Sequence, residues 1–329
     1  NPDSFFESAE VDAVMIATPH YDHPPLGIRA IENGWHVLSE KPAGVYTRQV
    51  QELIDAAENS DRVFGLMLNQ RTRPVHQKVR ELVQDGELGD IKRTCWIVTQ
   101  WFRSQSYYDS GGWRASWRGE GGGVLLNQCP HNLDLWQWMT GMPTRVMAFC
   151  SFGKYHDIEV EDDVTAYVEY ENGATGTFIT TTGEAPGSNR FEIAGDRGKL
   201  VLENGTLTFW RTERMVSEFN RNYKGGFGTP NTWRCDIPAP GTCEEHVGIT
   251  KNWVNAIREG TPLLAPGKEG IHSLELSNAM LLSEWQNNAW IDLPVPKDTF
   301  YNELKQRIAT SRYEKKGSGA TLDVAGSFG

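Results

Sequence analysis

The segment from Val11 to Pro42 constrains the fold most, because its pattern is that of a strand, a loop, a helix and a second strand. Val11 to Ala17 is an almost unbroken apolar run, which is typical of a parallel strand buried on both faces. Leu26 to Asn33 has helical spacing and is followed by Gly34, and Trp35 to Ser39 is again apolar. Parallel strands joined by a crossover helix form a right-handed βαβ unit, so the segment predicts a parallel sheet.

Polar residues follow both of these strands. Thr18, Pro19 and His20 follow the first strand, and Glu40-Lys41-Pro42 follows the second. Ligands of parallel sheets bind outside the carboxyl ends of the strands, so the two groups are expected to line one crevice. A lysine buried there can have a lowered pKa and exchange a proton with a substrate hydroxyl, although an isolated Glu-Lys-Pro is also typical of an exposed strand end.

Composition narrows the class of protein. A length of 329 residues favours two domains, and the 39% hydrophobic content is enough for a packed core. The net charge of −11 argues against a nucleic-acid partner or an anionic membrane surface, and no apolar run is long enough to cross a bilayer. Five cysteines without a CxxC pair indicate reduced thiols and a cytoplasmic protein.

Further elements follow in order. Thr47 to Asn59 predicts a helix, and Val63 to Leu68 predicts a third strand that ends at Asn69. Residues 75–88 predict a helix, and Ile91 to Phe102 predicts a strand of a second sheet. Residues 103–123 form a long Gly- and Trp-rich loop, and loops of that length are usually functional or mobile.

The arginines of this loop allow two interpretations. Arg114 and Arg118 follow Trp113 and Trp117. Their guanidinium groups can bind phosphate or sugar oxygens, or can stack on the neighbouring indoles for packing. The sequence does not separate these roles.

Val124 to Thr140 predicts a helix that follows three glycines. Asn127, His131 and Asp134 lie on one stripe of that helix, and Pro130 is expected to kink it beside His131. Asn127 can orient a hydroxyl but cannot accept its proton, whereas Asp134 can orient the imidazole or serve as a structural anchor.

The second half alternates in the manner of an antiparallel sheet. Residues 144–210 predict a meander of hairpins, and residues 212–242 predict loops. Helices are predicted over Glu244–Glu259 and Gly270–Asn287, followed by a charged helix and a Gly/Ser/Lys tail over 298–329. An open sheet can also pair subunits, so a homo-oligomer, dimer or tetramer, is expected.

The motifs together resemble the Gfo/Idh/MocA-type NAD(P)-dependent oxidoreductases, which act mostly on sugars and cyclitols. The resemblance rests on Ala17-Thr18-Pro19-His20 with His23, on Glu40-Lys41-Pro42, on Asn69 with Arg71, and on Gly121–Gly123 followed by His131-x-x-Asp134. It implies an α/β plus α+β fold. Residues 1–70 would form the C-terminal part of a Rossmann domain, 71–297 a substrate and oligomerisation domain, and 298–329 a C-terminal helix and tail.

The resemblance also implies roles for individual residues. Lys41 and His131 would carry out acid–base chemistry on a carbohydrate, with NAD or NADP as the cofactor and no metal. Substrate contacts would come from Asn127, Asp134, Trp113 and Arg114. Cofactor contacts would come from Thr18, Pro19, His20, His23, Glu40, Lys41, Asn69, Arg71, Trp117 and Arg118.

One family feature is missing from the sequence, since no G-x-G-x-x-G occurs in the 329 residues. We expect that the first βαβ unit precedes Asn1; the alternative is a loss of dinucleotide binding. Three functions stay open: a dehydrogenase acting on a ring hydroxyl, at C3 of a glucopyranoside in the most specific hypothesis; a glycoside-cleaving enzyme that uses oxidation and elimination; and a non-catalytic sugar-binding relative.

Overall fold

The chain folds into a parallel sheet followed by a larger mixed sheet, and the computed structural model describes residues 2–314. The strands are β1 (Ala13–Ile16), β2 (His36–Ser39), β3 (Phe64–Leu66), β4 (Ile91–Val98), β5 (Arg145–Phe152), β6 (Glu161–Glu169), β7 (Thr175–Thr181), β8 (Asn189–Gly195), β9 (Gly198–Glu203), β10 (Thr206–Thr212), β11 (Thr232–Ile237) and β12 (Ile291–Asp292). The helices are α1 (Pro2–Ser8), α2 (His23–Glu32), α3 (Thr47–Glu58), α4 (Pro74–Gln84), α5 (Gln105–Asp109), α6 (Pro130–Thr140), α7 (Val216–Asn222), α8 (Glu245–Glu259), α9 (Gly270–Trp285) and α10 (Lys297–Thr310).

The first sheet confirms the predicted βαβ arrangement. Its strands run in parallel in the order β1-β2-β3, with Ala13 opposite His36 and Leu38 opposite Gly65. The expectation that the first strand is buried on both faces is wrong. Met15 is 57% exposed and Ile16 is the one buried residue of the four in β1, so the face that carries Met15 is not covered by the described residues.

The second sheet has nine strands in the order β11-β10-β9-β8-β4-β7-β6-β5-β12. All neighbours are antiparallel except β4 and β7, so the predicted meander is interrupted where β4 inserts between β8 and β7. Helix α6 packs on one face of this sheet, where the indole of Trp136 donates to Thr94 Oγ1 at 3.0 Å and stacks on Phe178. Helix α9 lies along β5, where Ser283 Oγ accepts the Ala148 amide hydrogen.

The opposite face of the second sheet carries exposed aromatic side chains. Phe149 of β5 is 58% exposed, and Tyr167 of β6 and Trp210 of β10 are also exposed. The sequence predicted that the outer face of this sheet pairs subunits, and that pairing stays a prediction.

Two predicted segments differ from the structure. The helix predicted over 124–140 begins only at Pro130, because proline at a first helical position gives up an amide that has no intrahelical partner. Residues 212–242, predicted as loops, contain α7 and β11, and β11 pairs with β10. The predicted tail after residue 314 lies outside the described residues.

Two expectations from the sequence concern reduced cysteines and the lack of a membrane-spanning segment. All five cysteines are free thiols. None of the helices within residues 2–314 is long and apolar enough to span a bilayer.

Candidate active site

Lys41 lies just beyond the carboxyl end of β2, where the parallel sheet meets the second domain. Its Nζ donates a hydrogen bond of 2.8 Å to the backbone carbonyl of Asn127. Burial lowers the pKa of Lys41, while the carboxylates of Glu40 and Glu120 partly oppose the shift. The ammonium therefore loses its proton more readily than that of an exposed lysine.

His131 is the second residue of α6 and lies near Lys41, and the region around these two side chains is called the crevice below. Burial is the main cause that holds its pKa well below the usual value, and the positive charge of Lys41 adds to the effect. The imidazole is therefore neutral near pH 7, with one donor and one acceptor nitrogen. Its buried Nδ1 has no hydrogen-bond partner among residues 2–314.

Asn127 does not lie on the helical stripe that the sequence predicted, because the segment before Pro130 is a series of turns. Its carbonyl holds Lys41, and its amide nitrogen donates to the Glu120 carboxylate and, at 3.2 Å, to the Tyr107 hydroxyl. Glu120 is fully buried and also accepts the Ala115 amide hydrogen at 2.7 Å. Glu120 and Tyr107 could not be identified from the sequence, because nothing in a Gly-rich loop marks one carboxylate or phenol as buried.

A buried carboxylate shapes the turn that carries Asn127. Glu161 accepts the amide hydrogens of Gly123 at 2.8 Å and of Leu125 at 3.0 Å. A Cβ at position 123 would lie 2.0 Å from the Glu161 carbonyl oxygen, so only glycine fits there. Burial raises the pKa of Glu161 to about 8. The third glycine of the triplet thus permits the close approach that fixes this turn.

His20 and Trp113 form another wall of the crevice. The buried His20 donates from Nδ1 to the Glu120 carbonyl at 3.1 Å, and its ring meets Trp113 edge-on with centroids 4.9 Å apart. Burial and the charge of Lys41 lower the pKa of His20. Arg114 stacks over Trp113 at 4.6 Å, which is the packing that the sequence offered as one alternative.

Asn69 and Thr18 each have one buried polar atom without a hydrogen-bond partner among residues 2–314. The Asn69 amide nitrogen donates to His246 Nδ1 at 3.3 Å, while its Oδ1 is buried without a partner in the described part of the chain. Thr18 Oγ1 is also buried and has no hydrogen-bond partner in the described part of the chain. His246 is exposed, contacts Asn69 and adds to the lowering of the His131 pKa.

Arg71 and Asp134, which were expected at the cofactor and at the substrate, form a buried ion pair with each other. The Arg71 guanidinium is fully buried and donates to Asp134 from Nε at 2.8 Å and from Nη2 at 2.6 Å. It also pairs with Glu269 and donates to the Leu264 carbonyl at 3.1 Å. We therefore assign Arg71 and Asp134 to the connection between the two domains, and Asp134 is the anchor rather than the partner of the imidazole.

Three further residues that were expected at the cofactor, His23, Trp117 and Arg118, contact other protein groups or solvent. His23 is buried, and its ring nitrogens lie 2.7 Å from the Pro42 carbonyl and 2.8 Å from the Thr18 carbonyl, so it links the two strand ends. Trp117 is packed against Phe152 and Trp285 in the core. Arg118 is exposed to solvent. Pro19 directly precedes the turn at His20, and Glu40 accepts the Lys41 amide hydrogen at 3.2 Å; the cofactor contacts expected of both stay predictions.

Comparison with known proteins identifies matching families and relatives. The model of an oxidoreductase family with an NAD-binding Rossmann fold matches residues 1–68, and that of a GFO/IDH/MocA C-terminal domain matches residues 76–201. Levoglucosan dehydrogenase of Pseudarthrobacter phenanthrenivorans is 23% identical over 333 residues, which cover 88% of this chain and 82% of the relative. D-glucoside 3-dehydrogenase of Escherichia coli is 26% identical over 193 residues, which cover 53% of this chain and 52% of the relative. The crystal structure of the WlbA dehydrogenase from Chromobacterium violaceum with NADH and UDP-GlcNAcA superposes with a TM-score of 0.74 at 25% identity, over 89% of this chain and 80% of that one.

Proposed function

The chain belongs to the Gfo/Idh/MocA family of NAD-binding oxidoreductases, and on that premise we propose that it oxidises a ring hydroxyl of a sugar or glycoside. The observation that carries the proposal is that Lys41 Nζ donates to the carbonyl of Asn127, four residues before His131, so that the charge of Lys41 lowers the pKa of His131. The position oxidised is C3 of a glucopyranoside. The similarity to a D-glucoside 3-dehydrogenase supports this choice.

The described residues fit the nicotinamide end of a dinucleotide. Asn69 Oδ1, Thr18 Oγ1 and His131 Nδ1 are buried polar atoms without partners among residues 2–314, and all three belong to residues at the crevice. Buried polar atoms of this kind normally have a hydrogen-bond partner, so a carboxamide or ribose hydroxyl is a suitable occupant. When bound, the nicotinamide ring supplies the hydride acceptor.

Lys41 removes the hydroxyl proton in the proposed reaction. The Asn127 carbonyl fixes the position of its Nζ, and burial favours the neutral amine that can accept a proton. Glu120 limits this shift, because its buried carboxylate favours the charged form of Lys41. The lysine can therefore cycle between both protonation states during turnover.

His131 orients the same hydroxyl and relays its proton to Lys41. A neutral imidazole can accept a hydrogen bond through one nitrogen while it donates through the other. Tyr107 and Trp113 border the same region, and the Arg114 guanidinium lies over both rings, at 4.7 and 4.6 Å from their centroids. The five free thiols support a cytoplasmic location, and the exposed aromatic face of the second sheet supports a homo-oligomer.

The experiment is a screen of the natural protein with NAD and NADP against sugars and glycosides, followed by reduced-nicotinamide absorbance and product analysis. Net formation of reduced cofactor with a 3-keto glycoside supports the proposal. Release of free aglycone without net reduced cofactor would indicate oxidation and elimination instead. A protein that binds sugars but no dinucleotide would be the non-catalytic relative.

A further inference from the structure

Two guanidinium groups beside the crevice, those of Arg103 and Arg114, have no carboxylate partner among residues 2–314. Arg114 Cζ is 4.7 Å and Arg103 Cζ is 5.2 Å from the centroid of the Tyr107 ring. Arg114 also lies over Trp113, and Arg103 lies over Trp101 at 5.9 Å. The aromatic rings therefore hold both positive charges at the wall of the site.

Neither guanidinium is neutralised by the protein over residues 2–314. In that part of the chain, no carboxylate lies within ion-pair distance of Arg103 or Arg114, although the protein carries a net charge of −11. The Arg103 guanidinium donates to the Phe102 carbonyl at 2.9 Å, and the buried Nε of Arg114 has no acceptor among the described residues. A buried donor of a charged group without an acceptor is unfavourable, so the arrangement favours a ligand that supplies one.

A short chain of contacts joins these arginines to the reacting groups. The Tyr107 hydroxyl accepts hydrogen bonds from Asn127 Nδ2 at 3.2 Å and from Gln128 Nε2 at 3.1 Å. The Asn127 carbonyl in turn holds the Lys41 ammonium at 2.8 Å. The charge of Arg103 also acts on Lys41, and that of Arg114 acts on His20. The guanidinium groups are therefore close enough to contact another part of a sugar whose hydroxyl reaches Lys41.

We propose that the substrate carries an anionic group, a carboxylate or a phosphate, which accepts hydrogen bonds from Arg114 while Arg103 adds electrostatic attraction. This inference rests on the proposed function and names the class of carbohydrate. A planar guanidinium with several donors matches either oxyanion, and it favours an acidic sugar over a neutral one. The anionic group lies away from the hydroxyl that is oxidised, so the contact contributes to binding rather than to the chemical step.

The test compares methyl glucoside, methyl glucuronide and glucose 6-phosphate, first by calorimetric binding and then by kcat/KM. We expect one of the anionic sugars to be preferred over the neutral glucoside by about tenfold or more, the scale of one charge-assisted contact. Arg114→Ala should remove most of that preference through KM, Arg114→Lys should restore only part, and Arg103→Ala should have a smaller effect. Arg214→Ala, which removes the same charge from an exposed position, is the control.

The outcomes separate the two proposals. Preferential binding of the carboxylate or of the phosphate identifies the anion, and loss of that preference in a folded Arg114 variant supports the inference. Two results would overturn the inference and leave the dehydrogenase proposal intact. One is equal binding of neutral and anionic sugars by the wild-type protein, and the other is an equal loss of affinity for both kinds of sugar in Arg114→Ala and Arg103→Ala. Selective binding of the acid without any reduction of NAD or NADP would instead reject the enzymatic proposal alone.

Discussion

Lys41 Nζ donates a hydrogen bond of 2.8 Å to the carbonyl oxygen of Asn127, which lies 86 residues further along the chain. The bond joins the end of a strand of the parallel sheet to the turn that precedes α6. It positions the amine next to a neutral imidazole from the second domain. The proposed chemistry therefore depends on both domains at once.

The pH dependence of oxidation follows from the pKa of Lys41. Because the neutral amine accepts the proton, kcat/KM should rise with pH through that pKa, at a pH below the usual lysine value of 10.5. Other neighbours also shift the pKa of Lys41: Glu40 and Cys129 raise it, and the charge of Arg103 lowers it. Glu120→Gln removes a negative charge that raises the pKa, so the profile should move to lower pH.

The control for this profile is Glu218→Gln, an exposed carboxylate on α7. This substitution changes the net charge of the protein by the same amount as Glu120→Gln, and it should leave the pH dependence of kcat/KM unchanged. A Glu120→Gln profile that moves to higher pH, or that coincides with wild type, would contradict the role assigned to Lys41.

His131→Ala should lower kcat about 10²–10⁴-fold, the usual range for loss of a positioned acid–base group. His131→Asn retains a donor and an acceptor but cannot take up a proton, so it separates orientation from proton transfer. Steady-state kinetics and thermal unfolding should be measured together. A change in Tm with normal kcat would make His131 a packing residue.

Asp134→Ala should destabilise the protein by about 3–5 kcal/mol, because it leaves the fully buried Arg71 with an incomplete set of partners. Denaturant unfolding measures this change. Asp298→Ala removes an exposed pair with Arg48 and should cost less than about 1 kcal/mol. If Asp134→Ala kept its stability and lost kcat, Asp134 would orient the imidazole after all.

Glu161 should make stability decline with rising pH. Its pKa is about 8 in the folded protein against a usual value of 4.5, so the folded state retains a proton that the unfolded state releases. The associated stability is present below pH 4.5 and is lost as the pH rises to about 8, by up to about 1.4 kcal/mol per pH unit. Glu161→Gln should flatten the unfolding free energy over this range, and parallel profiles would contradict the assignment.

The parallel sheet and the strand-end motifs were predictable because their signals are local. An apolar run followed by Thr18-Pro19-His20, and a second run followed by Lys41, depend on neighbouring residues alone. The same holds for the turn at Asn69, which follows β3 directly.

The errors involve signals that sequence neighbours do not carry. Pro130 is compatible with a kink or a helix start, and the packing of the preceding turn around Glu161 decides between them. The pairing of Arg71 with Asp134 was not foreseen because Asp134 lies 63 residues away. Glu120 was missed because its burial depends on contacts with His20 and Asn127 that are distant in sequence.

Lys41→Ala tests the central claim most directly, by single-turnover reduction of the cofactor together with NAD binding. Hydride transfer should slow by at least about 10²-fold while NAD affinity stays near that of wild type, and small primary amines should restore part of the rate. Lys305→Ala, an exposed lysine on α10, should behave as wild type. A Lys41→Ala protein that binds NAD and reduces it at the wild-type rate would contradict the account.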